Sequence, residues 1–438
     1  MGKKQLDNIL VINSPYVPSY FNAGHHLPIF EVGEYLRKNS KNIYVTCLDA
    51  GALIYTWKEL GDYFYQNSYK MIAIMIDFDT SDNFERMLDY IKELTPKSKI
   101  LVFGRLCKQI PEFFKKFNID GIVTDGDFEF SVLQFWKYIC GNINIPAGCS
   151  FYLNGEWVNG SKGKYLDVTE WVFPDLKEIP FECYSKLYLK DSNKFCGIPN
   201  KKELVIHVSR GCPINCKFCD VSEMQGTVDR RLSPDMLCEY IIENFTKYQF
   251  EYVSMYSAIF TLNKEWTIKF CELMQKKGLL IPWKCVTTIE HLSLDCIEKM
   301  AKANCIRISI GIENFFENEK ILAFPEIKKN TIEKFEKIVE ICKHLNVELN
   351  CFVMLGIPGI SVEESMKTIE KLNKYNVRIR PTIYTPYYEM NSDMQLNELS
   401  KFNRQLLGKS FSYEEKLKLY NIIFGDVLKN KKVDKSLE

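Results

Sequence analysis

Short apolar runs alternate with segments of helical periodicity along most of this 438-residue chain. Residues 71–76 are continuously apolar, which is typical of a parallel strand covered on both faces. The following segment, 82–94, is apolar along one helical face, as an amphipathic helix requires. Because strands that alternate with helices pair in parallel, the chain is predicted to have an α/β fold, with ligands beyond the carboxyl ends of its strands.

The composition is that of a well-packed globular protein. Hydrophobic residues make up 46% and aromatic residues 13% of the chain, and the net charge is +1 from 57 basic and 56 acidic residues. That balance argues against a protein that binds nucleic acids or membrane surfaces in general. No apolar run reaches the ~18–20 residues that span a bilayer. Sixteen cysteines without a secretory signal indicate a reducing, cytoplasmic environment.

Two series of strand–helix units divide the chain. Residues 1–145 predict a Rossmann-like, doubly wound parallel sheet of five strands. Residues 146–200 form a turn-rich connector, in which Asn154-Gly155 predicts a β-hairpin. Residues 201–385 contain six strand–helix repeats, which match a partial (β/α)6 barrel. Residues 386–438 predict a small, mostly helical C-terminal segment.

Three cysteines follow the first barrel strand at Cys-x3-Cys-x2-Cys spacing: Cys212, Cys216 and Cys219. A disulfide with one free thiol is disfavoured by the absence of a signal peptide. A structural zinc site with His207 as fourth ligand is one alternative, although such sites more often pair two Cys-x2-Cys knuckles. Unliganded structural cysteines are another. We favour three corners of a [4Fe–4S] cluster, whose usual fourth cysteine is missing, so that one iron is open to a ligand.

With Phe218 at its aromatic position, Cys-x3-Cys-x-aromatic-Cys resembles the signature of the radical S-adenosylmethionine (radical SAM) enzymes. The resemblance implies that the open iron chelates the amino and carboxylate groups of S-adenosylmethionine, and that Phe218 packs near its adenine. It further implies that an electron from the cluster cleaves the sulfonium to give a 5′-deoxyadenosyl radical, which abstracts hydrogen from the substrate.

Further stretches resemble the radical SAM barrel. Gly311-Ile312-Glu313-Asn314 stands where the family has Gly-x-Glu-Ser, and Gly356-Ile357-Pro358-Gly359 matches its Gly-x-Pro-Gly. Two strand ends depart from the family: Tyr256-Ser257-Ala258 where relatives carry Asp or Glu, and Thr287-Thr288 where they often carry Arg. The residues expected to bind S-adenosylmethionine are Phe218, Tyr256, Ser257, Glu313, Asn314, Gly356 and Pro358.

The first strand ends in Asn13-Ser14-Pro15, the fourth ends in Gly104-Arg105, and Gly126-Asp127-Phe128-Glu129 precedes the last helix. In this order of features the N-terminal segment resembles the cobalamin-binding domain that precedes some radical SAM barrels. It lacks Gly-x-Gly-x-x-Gly, so a dinucleotide site has no support. It also lacks Asp-x-His-x-x-Gly, so cobalamin is expected without a protein histidine as lower ligand; His25 and His26 follow the first strand instead. Arg105 would face either the cobalt or a carboxylate. The residues expected to bind cobalamin are Asn13, Ser14, Pro15, Thr80, Gly104, Arg105, Gly126 and Glu129.

The resemblance implies a cobalamin-dependent radical SAM methyltransferase acting on an unactivated carbon of a small amino-acid-like or natural-product substrate, or of a peptide. A flavodoxin or ferredoxin would supply electrons. The alternatives are a cobalamin-dependent rearrangement, cyclisation or ring contraction, a radical SAM enzyme with an empty N-terminal domain, and an iron–sulfur sensor or scaffold. No catalytic residue is identified; Tyr388, after the last strand, is a candidate for substrate positioning or part of an aromatic lid.

Overall fold

The computed structural model describes residues 7–16, 25–186, 197–198, 201–278, 280–315, 332–404 and 411–431. The chain divides into two compact units. Unit 1 comprises Met1–Leu187, Glu223–Gly226 and Pro386–Asn403, and unit 2 comprises Tyr188–Ser222, Thr227–Thr385 and Arg404–Glu438. Each is an α/β structure, so the predicted fold class is confirmed.

Unit 1 is built on a seven-stranded sheet. Its first five strands are parallel in the order β2-β1-β3-β4-β5, and the antiparallel hairpin β6–β7 extends the β5 edge. The hairpin turns at Asn154-Gly155, both with positive φ, as that pair predicted. The strands are β1 (Asp7–Asn13), β2 (Ile43–Asp49), β3 (Met71–Met75), β4 (Lys99–Phe103), β5 (Gly121–Val123), β6 (Cys149–Leu153) and β7 (Glu156–Asn159).

Helices cover both faces of this sheet, which makes it doubly wound. Helix α1 packs against α6, and α2 packs against α3. The segment that forms α2 was not predicted to be helical, yet it carries a capping box in which Thr56 and Glu59 bind each other's backbone N–H. The helices are α1 (Leu27–Asn39), α2 (Trp57–Gln66), α3 (Phe84–Leu94), α4 (Arg105–Gln109), α5 (Pro111–Phe114), α6 (Phe128–Ile139) and α7 (Phe181–Lys186).

Two later stretches of chain complete unit 1. Lys108 Nζ donates to the carbonyl of Met224 at 2.7 Å, and Tyr165 Oη donates to that of Glu223 at 3.1 Å. Farther along, the Phe402 ring stacks on Phe78 at a centroid distance of 6.4 Å. Unit 1 therefore depends on residues that follow most of unit 2 in the sequence.

Unit 2 contains a six-stranded, wholly parallel sheet in the order β8-β11-β12-β13-β14-β15. Consecutive strands are neighbours with a helix between most pairs, which is the topology expected of a partial (β/α)6 barrel. A separate two-residue ladder, β9–β10, is antiparallel. The strands are β8 (Glu203–His207), β9 (Ser209–Arg210), β10 (Arg230–Arg231), β11 (Tyr252–Tyr256), β12 (Trp283–Thr288), β13 (Cys305–Glu313), β14 (Glu348–Leu355) and β15 (Arg378–Ile383).

The helices of unit 2 start at side-chain caps where the sequence offers them. Ser361 and Glu364, for example, form a capping box at the start of α13. No helix in the described ranges is long and apolar enough to cross a membrane. The later helices are α8 (Val221–Gln225), α9 (Pro234–Phe245), α10 (Lys264–Lys276), α11 (Leu294–Lys302), α12 (Ile332–His344), α13 (Val362–Lys374), α14 (Leu396–Leu399, in unit 1) and α15 (Tyr413–Lys431).

An aromatic cluster holds α10 against the strands of unit 2. Phe270 is fully buried and stacks on Trp266 at 5.7 Å, while its edge meets Trp283 at 5.5 Å and Phe260 at 6.0 Å. Edge-to-face and offset-stacked geometries are the favourable arrangements of aromatic pairs. The cluster therefore fixes the helix between β11 and β12 in the core of the unit.

Replacing Phe270 by Ala should destabilise unit 2 by about 3–5 kcal/mol, because it removes a fully buried ring and leaves a cavity. The control is Leu280→Ala, since Leu280 is 79% exposed and its loss should change stability by less than about 0.5 kcal/mol. Denaturant titration followed by tryptophan fluorescence measures both. Equal stabilities would contradict the packing described.

Candidate functional site

The loop of the three cysteines is closed at its base by the β9–β10 ladder. Arg210 pairs with Arg230 and Ser209 with Arg231, so the two ends of the segment that contains the loop lie side by side. Gly211 follows β9 with φ +90°, a region that favours glycine, and Asn215 has φ +52°. These two residues turn the chain sharply, which a short loop must do to present several side chains to one ligand.

Arg231 ties this base to the neighbouring strand–helix connection. Its guanidinium donates to the carbonyls of Phe260 at 2.7 Å and Ile259 at 2.9 Å, and its Nε lies 2.9 Å from Asp229 Oδ2. The ring of Trp266 lies 4.8 Å away on a cation–π contact. Because a planar guanidinium with several partners is held in one geometry, the cysteine loop has a rigid point of attachment.

Within the loop, Cys216 is buried, Cys212 is half-buried and Cys219 is exposed. The Cys219 N–H donates to the Cys216 carbonyl at 3.0 Å, and Ser222 Oγ donates to that of Cys212 at 2.9 Å. Desolvation, Asp220 and the other two thiols raise the pKa of Cys219 to about 12, against a backbone hydrogen bond at Val221 that lowers it. The thiol is therefore protonated until a cationic centre displaces the proton.

The cysteine loop contains no single-ion site. Throughout the described ranges, no three His, Cys, Asp or Glu groups lie close enough together to hold one metal ion. His207, the candidate fourth zinc ligand, instead has its ring 5.8 Å from that of Tyr256. A polynuclear cluster needs a different arrangement, because each thiolate binds a separate iron. That Cys212, Cys216 and Cys219 hold such a cluster remains a prediction.

Phe218 and the turn after β14 are brought together. Cys216 and Phe218 form one buried apolar group with Ile357, Ile360 and Tyr384, against which Ile214 and Met354 also pack. Ile357 lies between Gly356, with φ +78°, and Pro358, two of the residues expected to bind S-adenosylmethionine. An apolar surface beside backbone that can approach closely suits a flat aromatic ligand such as adenine.

The end of β13 is strained where a carboxylate was predicted. The pairing of β13 with β14 shifts register between Gly311 and Glu313, and Glu313 is buried with φ +57°. Positive φ at a non-glycine residue is unfavourable and is concentrated at functional sites. Next to it, Asn314 Oδ1 accepts from Thr368 Oγ1 at 2.5 Å, while Asn314 Nδ2 is buried without a hydrogen-bond partner among the described residues. That amide can donate to a ligand.

Ser257 and Tyr256 lie at the end of β11, where the family pattern was interrupted. The hydroxyl of Ser257 hydrogen-bonds that of Ser209 at 2.9 Å, which joins the strand end to the base of the cysteine loop. The backbone N–H of Val208 donates to the Tyr256 carbonyl at 2.8 Å. The Ser257 hydroxyl thus bonds to a residue of β9. Its contact with S-adenosylmethionine remains a prediction.

The residues expected to bind cobalamin gather at the carboxyl edge of the unit 1 sheet. Each follows one of four parallel strands, so the sheet places them along a single edge. Asn13 ends β1, with Ser14 and Pro15 after it; Thr80 follows β3; Gly104 and Arg105 follow β4; Gly126 and Glu129 follow β5.

Some of these residues form hydrogen bonds or ion pairs with other residues of unit 1. Thr80 Oγ1 donates to the carbonyl of Asp77 at 3.2 Å and accepts from its N–H at 3.0 Å. Arg105 lies 3.7 Å from Asp77 Oδ2 and donates to Tyr387 Oη at 3.4 Å. The pairing of Arg105 with a carboxylate is thus observed, and its other role, facing the cobalt, stays a prediction. Tyr388, next to Tyr387, is 70% exposed.

Gly104 is required by a close approach of two loops. A Cβ at this position would lie 2.3 Å from the Ile76 carbonyl oxygen, and its φ of +124° excludes other residues without strain. The backbone of the loop after β4 thus packs directly on that after β3. The glycine keeps the carboxyl edge of the sheet compact, whatever binds there.

A buried polar network that sequence reasoning missed lies at the same edge. His26 Nδ1 is 2.9 Å from Asp49 Oδ2 and 3.0 Å from Asn13 Nδ2, and Tyr184 Oη donates to Asp49 Oδ2 at 2.5 Å. On its other side, His26 Nε2 is 3.8 Å from Asp79 Oδ2. Both ring nitrogens of His26 therefore face carboxylates. In the sequence, the only signals of this network were Asp49 at the end of β2 and the two histidines that follow β1.

This network keeps His26 positively charged. Burial alone would lower the pKa of His26, but Asp49, Asp79 and Asp77 outweigh it and raise the pKa to about 9. Burial raises the pKa of Asp79 to about 7, an effect that His26 opposes and that Asp77 and Asp49 reinforce. An imidazolium has no lone pair to offer a metal, so His26 in this state is not a metal ligand.

The chain matches the radical SAM superfamily over residues 206–378. It is similar to an uncharacterized methyltransferase of Pyrococcus horikoshii, at 28% identity over 49% of this chain and 45% of that protein. It is also similar to the bacteriochlorophyllide d C-8(2)-methyltransferase of Chlorobaculum tepidum, at 26% identity over 57% of this chain and 58% of that one. The chain thus covers about half the length of these curated relatives.

Two solved structures share the fold over most of the chain. The radical S-adenosylmethionine methyltransferase TsrM of Kitasatospora setae, solved with tryptophan substrate and a SAM analogue, matches with a TM-score of 0.69 at 14% identity, over 87% of this chain and 74% of that chain. The cobalamin-dependent S-adenosylmethionine radical enzyme OxsB, solved with aqua-cobalamin, matches with a TM-score of 0.65 at 18% identity, over 90% and 55%. At these identities the likeness shows the fold.

The His26 network makes the stability of unit 1 depend on pH. A pKa raised from 6.5 to about 9 gives stability that is complete below pH 6.5 and is lost as pH rises through 9. We expect a loss on the order of 2–3 kcal/mol across that interval. Because Asp79 titrates near pH 7, the part of the loss above pH 7 belongs mainly to His26.

Denaturant titrations of the wild-type protein and of His26→Gln at pH 6, 7.5 and 9.5 measure this effect. The variant should be less stable at pH 6 and should show a flatter profile above pH 7. His344→Gln, at an exposed position in α12, is the matched control and should keep the wild-type profile. A wild-type profile in His26→Gln would refute the assignment.

Proposed function

We propose that the chain, which matches the radical SAM superfamily over residues 206–378, is a cobalamin-dependent radical SAM methyltransferase acting on an unactivated carbon of a small amino-acid-like or natural-product molecule. One observation carries the proposal: Cys212, Cys216 and Cys219 lie on a loop with a rigid base, whose Phe218 packs on the turn at Gly356–Pro358. The whole-chain fold likeness to TsrM and OxsB extends the proposal to cobalamin.

The cysteine loop would hold a [4Fe–4S] cluster by three thiolates. The ladder β9–β10 and Arg231 fix the ends of the loop, and burial of Cys216 anchors its middle. Cys219, the exposed member, would be deprotonated on binding because the iron replaces its proton. The chain supplies three sulfur ligands there, so one iron is left for the substrate S-adenosylmethionine.

Polar groups around this loop would orient S-adenosylmethionine. Asn314 Nδ2 is a buried donor available to the ligand, and the buried carboxylate of Glu313 is held near it by the bulge in β13. Phe218 and Ile357 would pack on the adenine. Preorganised groups of this kind act by placing the reacting atoms, since holding reactants in alignment removes much of the entropic barrier.

The carboxyl edge of unit 1 fits a polar, amide-rich cofactor such as cobalamin. Asp79 Oδ2 is a buried acceptor without a hydrogen-bond partner among the described residues, and such an atom normally meets a ligand or water. His26 would stay an imidazolium and leave the lower face of the corrin without a protein histidine. When bound, cobalamin supplies a methyl group to the substrate, and the cluster supplies the electron that initiates radical chemistry.

An electron donor such as a flavodoxin or ferredoxin would complete the system. The activity requires one reducing equivalent for each radical cleavage of S-adenosylmethionine, and in this proposal an external donor supplies it. A rearrangement, cyclisation or ring contraction would use the same two cofactors without transfer of a methyl group. The products derived from S-adenosylmethionine distinguish these reactions without knowledge of the substrate.

Replacing Cys212, Cys216 and Cys219 together by Ala should abolish cluster binding and the formation of 5′-deoxyadenosine. The reason is that no other cysteine lies in this loop to replace the lost ligands. Iron analysis and product chromatography after anaerobic reconstitution measure both; about four irons per chain are expected for the wild type. Cys183→Ala, at a half-buried position outside the loop, should retain both properties. Iron retained in the triple variant would contradict the site.

The methyltransferase proposal predicts two products from S-adenosylmethionine in the reduced holoenzyme. S-adenosylhomocysteine should form because the methyl group departs, and 5′-deoxyadenosine should form by radical cleavage. A rearrangement enzyme would give the second product alone, and so would a radical SAM enzyme that binds no corrinoid. Mass spectrometry with methyl-deuterated S-adenosylmethionine measures both, beside a corrinoid assay of the protein after gel filtration. Recovery of all corrinoid unbound would reject the proposal.

A further inference from the structure

Two loops of unit 1 flank the point where the strand order of its sheet reverses. In the order β2-β1-β3-β4-β5, the chain passes from β1 to β2 on one side and then crosses to β3 on the other. In sheets of this order a ligand binds beyond the carboxyl ends of β1 and β3, where the two loops diverge. The loop after β1 ends in His26, and the loop after β3 contains Asp79. These two side chains face each other at the switch point.

His26 and Asp79 form a close but incomplete pair. The Nε2 atom of His26 lies 3.8 Å from Oδ2 of Asp79, which is beyond hydrogen-bond distance. Asp79 Oδ2 is buried and has no hydrogen-bond partner among the described residues. Buried polar atoms of this kind normally bind water or a ligand. The pair therefore offers a position for a group that bonds to both atoms.

The other contacts of His26 determine which atom of the pair donates. His26 Nδ1 lies 2.9 Å from Asp49 Oδ2, so that nitrogen carries a proton directed at the carboxylate. Burial alone would lower the pKa of His26, but Asp49 and the neighbouring carboxylates raise it to about 9, so Nε2 is protonated as well. Nε2–H is consequently a donor, and Asp79 Oδ2 is an acceptor.

A primary carboxamide matches this donor and acceptor. Its oxygen accepts from His26 Nε2–H while its N–H donates to Asp79 Oδ2. The oxygen and nitrogen of an amide lie about 2.2 Å apart, so two slightly divergent hydrogen bonds reach atoms that are 3.8 Å apart. An ionised carboxylic acid has the same shape but no donor, and its charge repels that of Asp79.

We propose that His26 and Asp79 bind a primary carboxamide on the periphery of the corrin ring, and that Asp79 selects this amide over the corresponding acid. This assignment rests on the proposed function, since it takes cobalamin as the ligand of this edge. The side chain of His26 is 10% exposed and that of Asp79 is 1% exposed, so the amide approaches along the imidazole. Asp79, which the sequence did not single out, becomes a residue that determines specificity for the cofactor.

The test compares cyanocobalamin with its monocarboxylic acids, each of which has a different peripheral amide hydrolysed. Equilibrium dialysis gives the Kd values at pH 8, where Asp79, whose pKa burial raises to about 7, and His26 are both charged. At least one acid should bind about tenfold more weakly than cyanocobalamin. The reason is that it fits only when Asp79 is protonated, as in about one molecule in ten at this pH.

Asp79→Asn identifies the cause of this difference. The side chain keeps its shape but can donate to a carboxylate as well as accept from an amide, so the weakened acid should bind within about twofold of cyanocobalamin. Asp82→Asn, at an exposed position in the same segment, is the matched control and should retain the tenfold difference. Each comparison is a ratio within one protein, so a loss of stability does not imitate the result.

His26→Gln tests the other half of the pair. It replaces a charged donor by a neutral one and should weaken the binding of cyanocobalamin about tenfold, because hydrogen bonds from charged donors are the stronger. His344→Gln, at an exposed position in unit 2, should leave the Kd unchanged. Tryptophan fluorescence shows that each variant is folded under the conditions of dialysis.

The outcomes separate this assignment from the proposed function. Equal affinity for cyanocobalamin and every acid, or a tenfold difference that persists in Asp79→Asn, would overturn the assignment alone; Asp79 Oδ2 then bonds to buried water. An unchanged Kd in His26→Gln would overturn it as well. A wild-type protein that binds no corrinoid would reject the assignment and the proposed function together.

Discussion

Parallel strand pairing is the constraint on which both units depend. Parallel strands need a crossover for every connection, usually a helix, and so the parallel strands of a unit all end at the same edge. The consequence is visible in unit 1, where loops after four strands bring Asn13, Thr80, Gly104 and Glu129 to one edge. In unit 2 the same rule places the cysteine loop and the turn at Gly356 together.

Local signals were sufficient to predict most of this architecture. The six strand–helix repeats expected in residues 201–385 are matched by the six parallel strands of unit 2, and the hairpin at Asn154-Gly155 has the expected turn. Helix α2 could also have been found, because Thr56 and Glu59 have capping-box spacing. Its apolar face is narrow, with Leu60 and Phe64 as the buried residues, and periodicity alone therefore did not reveal it.

The parts that could not be predicted depend on pairs distant in sequence. None of the four residues of the β9–β10 ladder has a local preference that reveals it, and Arg231 finds its carbonyl partners only in the folded barrel. His26 and Asp49 are separated by 23 residues, and Tyr184 by a further 135. The predicted roles of the individual site residues therefore remain predictions, although the structure gathers most of them at two strand edges.

Both units bury charged groups. At the edge of unit 1, Asp49 and Asp79 surround one histidine and hold it as a cation. In the barrel of unit 2, Lys284 and Glu203 are both buried and form an ion pair at 3.7 Å. Burying a charge is unfavourable unless another group compensates it. Each unit thus keeps buried ionisable groups that packing alone does not require.

The division of the chain between the units bears on how the protein is made. The sheet of unit 1 is synthesised first, but Glu223–Gly226 and Pro386–Asn403 also belong to that unit. On the ribosome, domains generally fold in the order of their synthesis. Here Phe78 meets Phe402 only after nearly the whole barrel has been translated, so the N-terminal unit is completed late, and Arg404–Glu438 of unit 2 are translated after it. Truncation before residue 403 therefore removes chain from both units.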